Sequence, residues 1–156
     1  MSVMKGTPLT DVERAFLSEL IASGTRFLIV GMSAADLQGA NIGTQDIDLW
    51  FESTSDGRLD RAARAVGSMF AWRADPPSLM GEELERIDIV RTCSGLRPFL
   101  QEYDESVEMD VEGLMLKVLP LDRVIASKKA ADRPKDRAYL PTLRAALASL
   151  RNEGSF

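Results

Sequence analysis

"GTQDIDLWFE", residues 43–52, decides how this chain is read. Strands tolerate Asp poorly, yet Asp46 and Asp48 stand two apart in an otherwise apolar run. Strand alternation sends Ile47, Leu49 and Phe51 to one face and Asp46, Asp48, Trp50 and Glu52 to the other. The two carboxylates then lie about 6.5 Å apart along the strand. Ionised, they repel, and partial burial sharpens the repulsion. Two readings follow. Either the acids face water from a half-exposed strand, or they hold a divalent cation, since Mg²⁺ takes hard oxygen ligands.

Flanking segments bear on that choice. In "RIDIV", residues 86–90, Asp88 alternates with Ile87 and Ile89. If this strand pairs beside the first, three carboxylates converge. Upstream, "RFLIVG", residues 26–31, is a continuous apolar run closed by glycine, which suits a buried strand. "SAADLQG", residues 33–39, reads as a short helix begun by Ser33 and stopped near Gly39. Free N–H groups at a helix start, with Gly31 permitting close approach, suit a phosphate. The plainer alternative is a tight strand-to-helix turn.

Around this centre the chain alternates helices and strands. "TDVE", residues 10–13, is a capping box with Thr10 as N-cap and Glu13 reaching back. Phe16, Leu17, Leu20 and Ile21 follow at helical spacing, and Gly24 ends that helix. Residues 58–72 place Leu59, Ala62, Ala63, Val66, Met69 and Phe70 on one helical stripe. "ADPPSLMGEELE", residues 74–85, reads as a loop, because Pro76 and Pro77 oppose regular structure, and it is a candidate lid. "VEMDVEG" and "LMLKVLP" form a hairpin about Gly113. Two helices follow from about residue 120 to 152, the second with Pro141 early, where a missing N–H does no harm. The order α-β-α-β-α-β-β-β-α-α predicts one α+β domain over residues 1–156, a mixed β-sheet with flanking helices.

Composition narrows the chemistry. The 156 residues are 45% hydrophobic and 28% charged, ordinary for a globular domain. There is no histidine, which excludes Ser-His-Asp and Cys-His catalysis and histidine-built zinc sites. The single Cys93 can form no internal disulfide. A net charge of −5 argues against gripping a phosphate backbone. No run approaches the roughly 20 apolar residues that span a bilayer, and "MSVMKGTPLT" has no signal-peptide core. The expectation is a cytoplasmic protein without a membrane partner.

These segments together resemble the nucleotidyltransferase superfamily, the DNA polymerase β-like fold. The family pattern is an apolar strand, a small-residue turn, a short helix, Asp-x-Asp on a strand, and a third carboxylate later. Here the positions read "LIVGMSAADLQG", "TQDIDLWF" and "RIDIV". The tail "VLPLDRVIASKKAADRPKDRAYLPTL" is similar to small bacterial nucleotidyltransferase-like proteins, many linked to toxin–antitoxin or abortive-infection systems. The resemblance covers most of residues 26–143. It implies Mg²⁺-dependent transfer of a nucleoside monophosphate from a nucleoside triphosphate to an acceptor hydroxyl on protein, RNA or a small molecule. By position, Asp46, Asp48 and Asp88 would be catalytic and would hold Mg²⁺, one ion or two. Gly31, Ser33 and Lys128 would bind the nucleotide, although Lys128 also reads as a solvated helix lysine beside Lys129. Arg133, Lys135 and Asp136 would fix the join between the last helices. Met32 departs from the family turn, as does "NIGTQ", where many relatives carry arginine. A second reading is therefore a catalytically decayed binding module, the partner-binding component of a toxin–antitoxin pair. A phospho-acceptor receiver domain also gathers aspartates and a lysine, but its five βα units do not match the strand order here.

Overall fold

The computed structural model describes residues 8–153; most of the N-terminal segment "MSVMKGTPLT" lies outside them. Helix α1 (Asp11–Ala22) starts at the expected capping box: Thr10 Oγ1 accepts the Glu13 N–H and Glu13 Oε1 accepts the Thr10 N–H. Phe16, Leu17 and Leu20 are fully buried, each stabilising the fold by about 1.5–3 kcal/mol. Glu13 is buried as well and carries Arg86, whose Nη2 donates to the same Oε1 at 2.5 Å and whose Nε donates to Oε2 at 2.8 Å. Its carboxyl lies below the usual range: burial raises it, but Arg86 and the Thr10 amide outweigh that.

A five-stranded mixed sheet forms the frame. It comprises β1 (Phe27–Val30), β2 (Ile47–Phe51), β5 (Ile87–Val90), β6 (Val107–Val111) and β7 (Leu114–Val118), in the order β5-β2-β1-β7-β6. β2 runs antiparallel to β1 and parallel to β5, while β7 is parallel to β1 and antiparallel to β6. β1 is buried along its whole length, as its unbroken apolar run requires. In β2 and β5, Ile47, Leu49, Phe51, Ile87 and Ile89 are all buried, the face that alternation assigns to the core. The mixed sheet with its flanking helices is a nucleotidyltransferase-like fold.

Helices α2 (Gly31–Leu37), α5 (Leu121–Ala131) and α6 (Pro134–Glu153) pack in series. Gln38 joins the first two: its Nε2 donates to the Ala34 and Leu119 carbonyls, and its Oε1 accepts the Leu121 N–H. The start of α5 is thereby fixed to the end of α2. α5 ends at Asp132 in the left-handed region, φ 51°, with its carboxylate on Arg137. Asp136, fully buried, caps the next helix by accepting the Arg133 N–H and side chain, as the tail motif led us to expect.

Several expectations need correction. The helix read over residues 58–72 is α3 (Arg58–Ala65); Gly67 takes φ 82° just beyond it, and Phe70–Ala71 become strand β3. Within the supposed loop 74–85, Ser78–Leu79 form β4, antiparallel to β3, and Glu82–Leu84 form a 3₁₀ turn. Leu79 and Leu84 are buried, so this segment belongs to the core and is not a free lid. α2 begins at Gly31, two residues before Ser33. Pro141 is the eighth residue of the 20-residue α6, not an early one, so the Arg137 carbonyl lacks its helical donor. A short helix, α4 (Phe99–Asp104), went unread.

α4 supplies a second paired buried carboxylate. Glu102 is fully buried and accepts from Arg123 Nη2 (2.8 Å), Arg97 Nη2 (2.7 Å) and the Arg97 N–H (3.0 Å). Burial raises its pKa, yet the hydrogen bonds from Arg123 and Arg97 prevail and hold it at about 2. Asp136 is likewise held at about 2, first by Arg133. Both folded values lie below the unfolded ones, so their stabilisation is complete above about pH 4.3 and is lost as pH falls toward 2. Thermal unfolding should show Tm steady down to about pH 5 and falling steeply below pH 4. Glu102→Gln should lower Tm at neutral pH and flatten that acid limb. A limb of unchanged steepness would refute the assignment.

Candidate functional site

The parallel pairing of β2 with β5 sets Asp48 directly opposite Asp88. Both point to the face away from the core leucines and isoleucines, and Asp46 precedes β2 on the same side. Their proximity is electrostatic as well as topological. The Asp48 carboxyl is pushed up to about 6, first by burial, then by Asp88 and Asp46. Lys128 and the Ser33 N–H pull it the other way without prevailing. Asp88 is also raised, by burial and then by Asp46.

Gly31 and Ser33 serve this carboxylate directly. Gly31 adopts φ 61°, and a Cβ built on it would stand 2.7 Å from Asp48 Oδ2. Ser33 is fully buried; its Oγ donates to the Val30 carbonyl at 2.8 Å and accepts the Asp48 N–H at 3.1 Å. The Ser33 hydroxyl therefore braces β2 from beneath, and its backbone N–H faces the Asp48 carboxylate. The side chain of Asp48 occupies the helix start that sequence reasoning reserved for phosphate.

Above Gly31 and Asp48 opens a cavity of about 430 Å³, walled by Val90, Cys93, Ser94, Lys128 and Arg133 among others. Lys128 is mostly buried, 18% exposed, with Nζ 3.4 Å from Asp136 Oδ1. Its charge also acts on Asp48 and Cys93, so it lies within the electrostatic reach of both. It is not the solvated helix lysine of the plain alternative; that description fits its exposed neighbour Lys129. The Cys93 thiol is pushed up to about 12, by burial first and then by Asp48, which leaves it neutral and unreactive. Arg133 borders the cavity while bonded to Asp136.

Sequence reasoning missed the wall made by Thr92, Cys93 and Ser94. Its signal was available: "RTCSG" is a run of small polar residues directly after β5, closed by Gly95 at φ 70°. Loops at strand ends that carry small polar groups are frequent binding elements.

Three aspartates supply only hard oxygen donors, the chemistry Mg²⁺ prefers. Their mutual repulsion is visible in Asp48 and Asp88, and a divalent ion would relieve it. Among the described residues, however, no three acidic or sulfur side chains already stand at ligand spacing. Asp46 and Asp88 are exposed. The three residues fit the ion in chemistry and not in their present spacing.

No protein-family model matches the chain, and no curated protein matches it in sequence. Solved structures do. The antibiotic-resistance factor ANT(2'')-Ia in solution superposes with a TM-score of 0.56 at 16% identity, over 89% of this chain and 82% of that one. A crystal structure of ANT(2'')-Ia with adenylyl-2''-tobramycin gives 0.54 at 15% identity, over 91% and 96%. ANT(2'')-Ia is an aminoglycoside nucleotidyltransferase, and at these identities the likeness establishes a shared fold. No helix among the described residues is long and apolar enough to cross a membrane.

Two measurements check this geometry. Gly31→Ala should cost about 1–2 kcal/mol from the left-handed backbone alone, read by urea unfolding, and the Cβ contact with Asp48 should add to that. For Asp48, the folded value of about 6 exceeds the unfolded ~3.9. Its contribution to stability is therefore full below about pH 4 and declines as pH rises through 6. Asp48→Asn should raise the Tm of metal-free protein at pH 8 and have little effect at pH 4. A variant less stable than wild type at pH 8 would contradict the repulsion described.

Proposed function

We propose that this protein is a nucleotidyltransferase, moving a nucleoside monophosphate from a nucleoside triphosphate to an acceptor hydroxyl. The observation that carries the reading is the β2–β5 register, which sets Asp88 opposite Asp48, the carboxylate of a cavity that Gly31 and Lys128 also line. Asp46, Asp48 and Asp88 would hold Mg²⁺, one ion or two. When bound, the metal supplies charge neutralisation at the triphosphate oxygens.

The chain's own groups do the rest. Gly31 leaves the cavity floor open because any side chain there would meet Asp48. Ser33 fixes the Asp48 backbone, so the carboxylate is presented at a constant height. Lys128, steadied by Asp136, offers an ammonium to phosphate oxygens without needing to search for position. Asp88 is exposed and of raised pKa, which suits it to receive the proton of the acceptor hydroxyl. The acceptor oxygen then bonds to the α-phosphorus as the α–β bridging P–O bond breaks, and pyrophosphate leaves. ANT(2'')-Ia with adenylyl-2''-tobramycin shows that this fold accommodates a nucleotidylated small molecule. For the present chain the acceptor is a protein, an RNA or a small molecule, and a toxin–antitoxin partner belongs to the same reading.

The test is transfer from α-labelled ATP, GTP, CTP and UTP, with pyrophosphate release, in Mg²⁺ and in chelator. Wild type should label an acceptor in Mg²⁺ alone. Asp48→Asn should abolish labelling, and Asp88→Asn should cut it by about a hundredfold or more. Mg²⁺ should raise the Tm of wild type but not of Asp48→Asn. The open spacing of the acidic trio favours one alternative, the non-catalytic partner-binding module. Calorimetry that finds no binding of any of the four triphosphates in Mg²⁺ would select it. Growth arrest on expression, lost with Asp48→Asn, would support the toxin role.

A further inference from the structure

Glu102 lies outside the acidic trio and meets neither nucleotide nor metal in the reading above. Its position is nonetheless specific. α4 is anchored to the sheet face that carries Asp48, because Phe99 packs edge-on against Trp50 with ring centroids 5.1 Å apart. From this post the fully buried Glu102 carboxylate reaches in two directions. It accepts the Arg97 N–H and Arg97 Nη2, and so holds the loop of residues 91–98 that carries Thr92, Cys93 and Ser94. It also takes a two-pronged contact from Arg123, at 3.1 Å from Nε and 2.8 Å from Nη2. Arg123 stands on α5 one helical turn before Ser127, which with Val124, Lys128 and Ala131 forms that helix's part of the cavity wall.

We propose that Glu102 is a positioning residue that sets the width of the Gly31–Lys128 cavity by tying its two walls, loop 91–98 and α5, to one post. Gly95 marks the same junction from the loop side. A Cβ there would stand 2.4 Å from Ala130 Cβ and 3.3 Å from the Ala126 carbonyl oxygen, so the loop lies as close to α5 as its backbone permits. Glu102 is charged, buried and shared by two guanidinium groups, so neutralising it takes the carboxylate from Arg123 and leaves Arg97 with Glu105 alone. The consequence for nucleotide affinity rests on the function proposed above; the holding of the walls does not.

The unique thiol, Cys93, sits in the held wall and reports on it without any substrate. Iodoacetamide labelling of the full chain under native conditions should be slow in wild type. Glu102→Gln and Gly95→Ala should each speed it by about tenfold, with cooperative unfolding retained. Should Glu102→Gln fail to fold, Gly95→Ala carries the measurement, since it moves the wall and leaves the ion pairs in place. In the transfer assay both variants should raise KM for the triphosphate about tenfold and hold kcat within about twofold, the pattern of lost binding without lost chemistry. A merely structural role would instead lower apparent kcat through loss of folded protein and leave KM unchanged. Wild-type labelling rates in folded variants would overturn the proposal. Faster labelling in a protein that binds no triphosphate would uphold it and remove the nucleotide reading instead.

Discussion

The parallel pairing of β2 with β5 imposes one unfavourable contact on an otherwise consistent fold. Like charges directly opposite in a sheet destabilise it, and the register sets Asp48 against Asp88 with Asp46 close to both. The register cannot slip to avoid this. A shift of one residue would turn Ile47, Leu49, Ile87 and Ile89 out of the core, where all four are buried. The hydrophobic pattern therefore fixes the strand pairing, and the strand pairing gathers the acids. Gly31 and Ser33 then close on Asp48 from the neighbouring strand end, and α5 is placed above them through Gln38.

The other buried carboxylates show how this chain treats acids whose role is structural. Glu13 holds Arg86 and a helix cap, Glu112 holds Arg14 and the Leu9 amide, Glu102 holds two arginines, and Asp136 holds Arg133 and Lys128. The carboxyls of Glu13, Glu102 and Asp136 all lie below the usual carboxylate range. Asp48 shifts upward through the loss of water, then through Asp88 and Asp46, and Asp88 through the loss of water and then Asp46. Arg86 acts on Asp46 across space while it is bonded to Glu13. Perturbation of that sign in a cleft supports the metal-binding reading proposed above.

Much of this was legible because it rests on local rules. The capping box at Thr10, the unbroken run of β1, the alternation in β2 and β5 and the hairpin about Gly113 all appear where their periods place them. The misreadings share a cause. α3 and β3 lie in one continuous helical-looking stripe, and only the pairing of Phe70 with Leu79, nine residues on, ends the helix in favour of strand. α4 is six residues long and is held by Glu102 reaching to Arg97 and Arg123, a tertiary contact invisible to periodicity. At Gly31 the helix starts early because the backbone turns around the Asp48 carboxylate, seventeen sequence positions away in β2. The pattern identified Asp46, Asp48 and Asp88 as a set, while their spacing and the Thr92–Ser94 wall are properties of the packed chain.

The local charge count bears on what can enter the cavity. Asp48, Lys128 and Arg133 line the cavity, Asp46 and Asp88 act on Asp48 from beside it, and both cations are already engaged by Asp136. The floor of the cavity is thus anionic, and a triphosphate approaching it alone would be repelled at short range, where solvent screening is weakest. A ligand bearing several phosphates suits this cavity only if it arrives with compensating positive charge. A divalent ion held by Asp46, Asp48 and Asp88 would provide that, and would also relieve the repulsion that raises Asp48. The acidic floor, which alone would argue against nucleotide binding, is therefore compatible with it under the condition that metal and nucleotide bind together, with the empty site bearing the electrostatic cost.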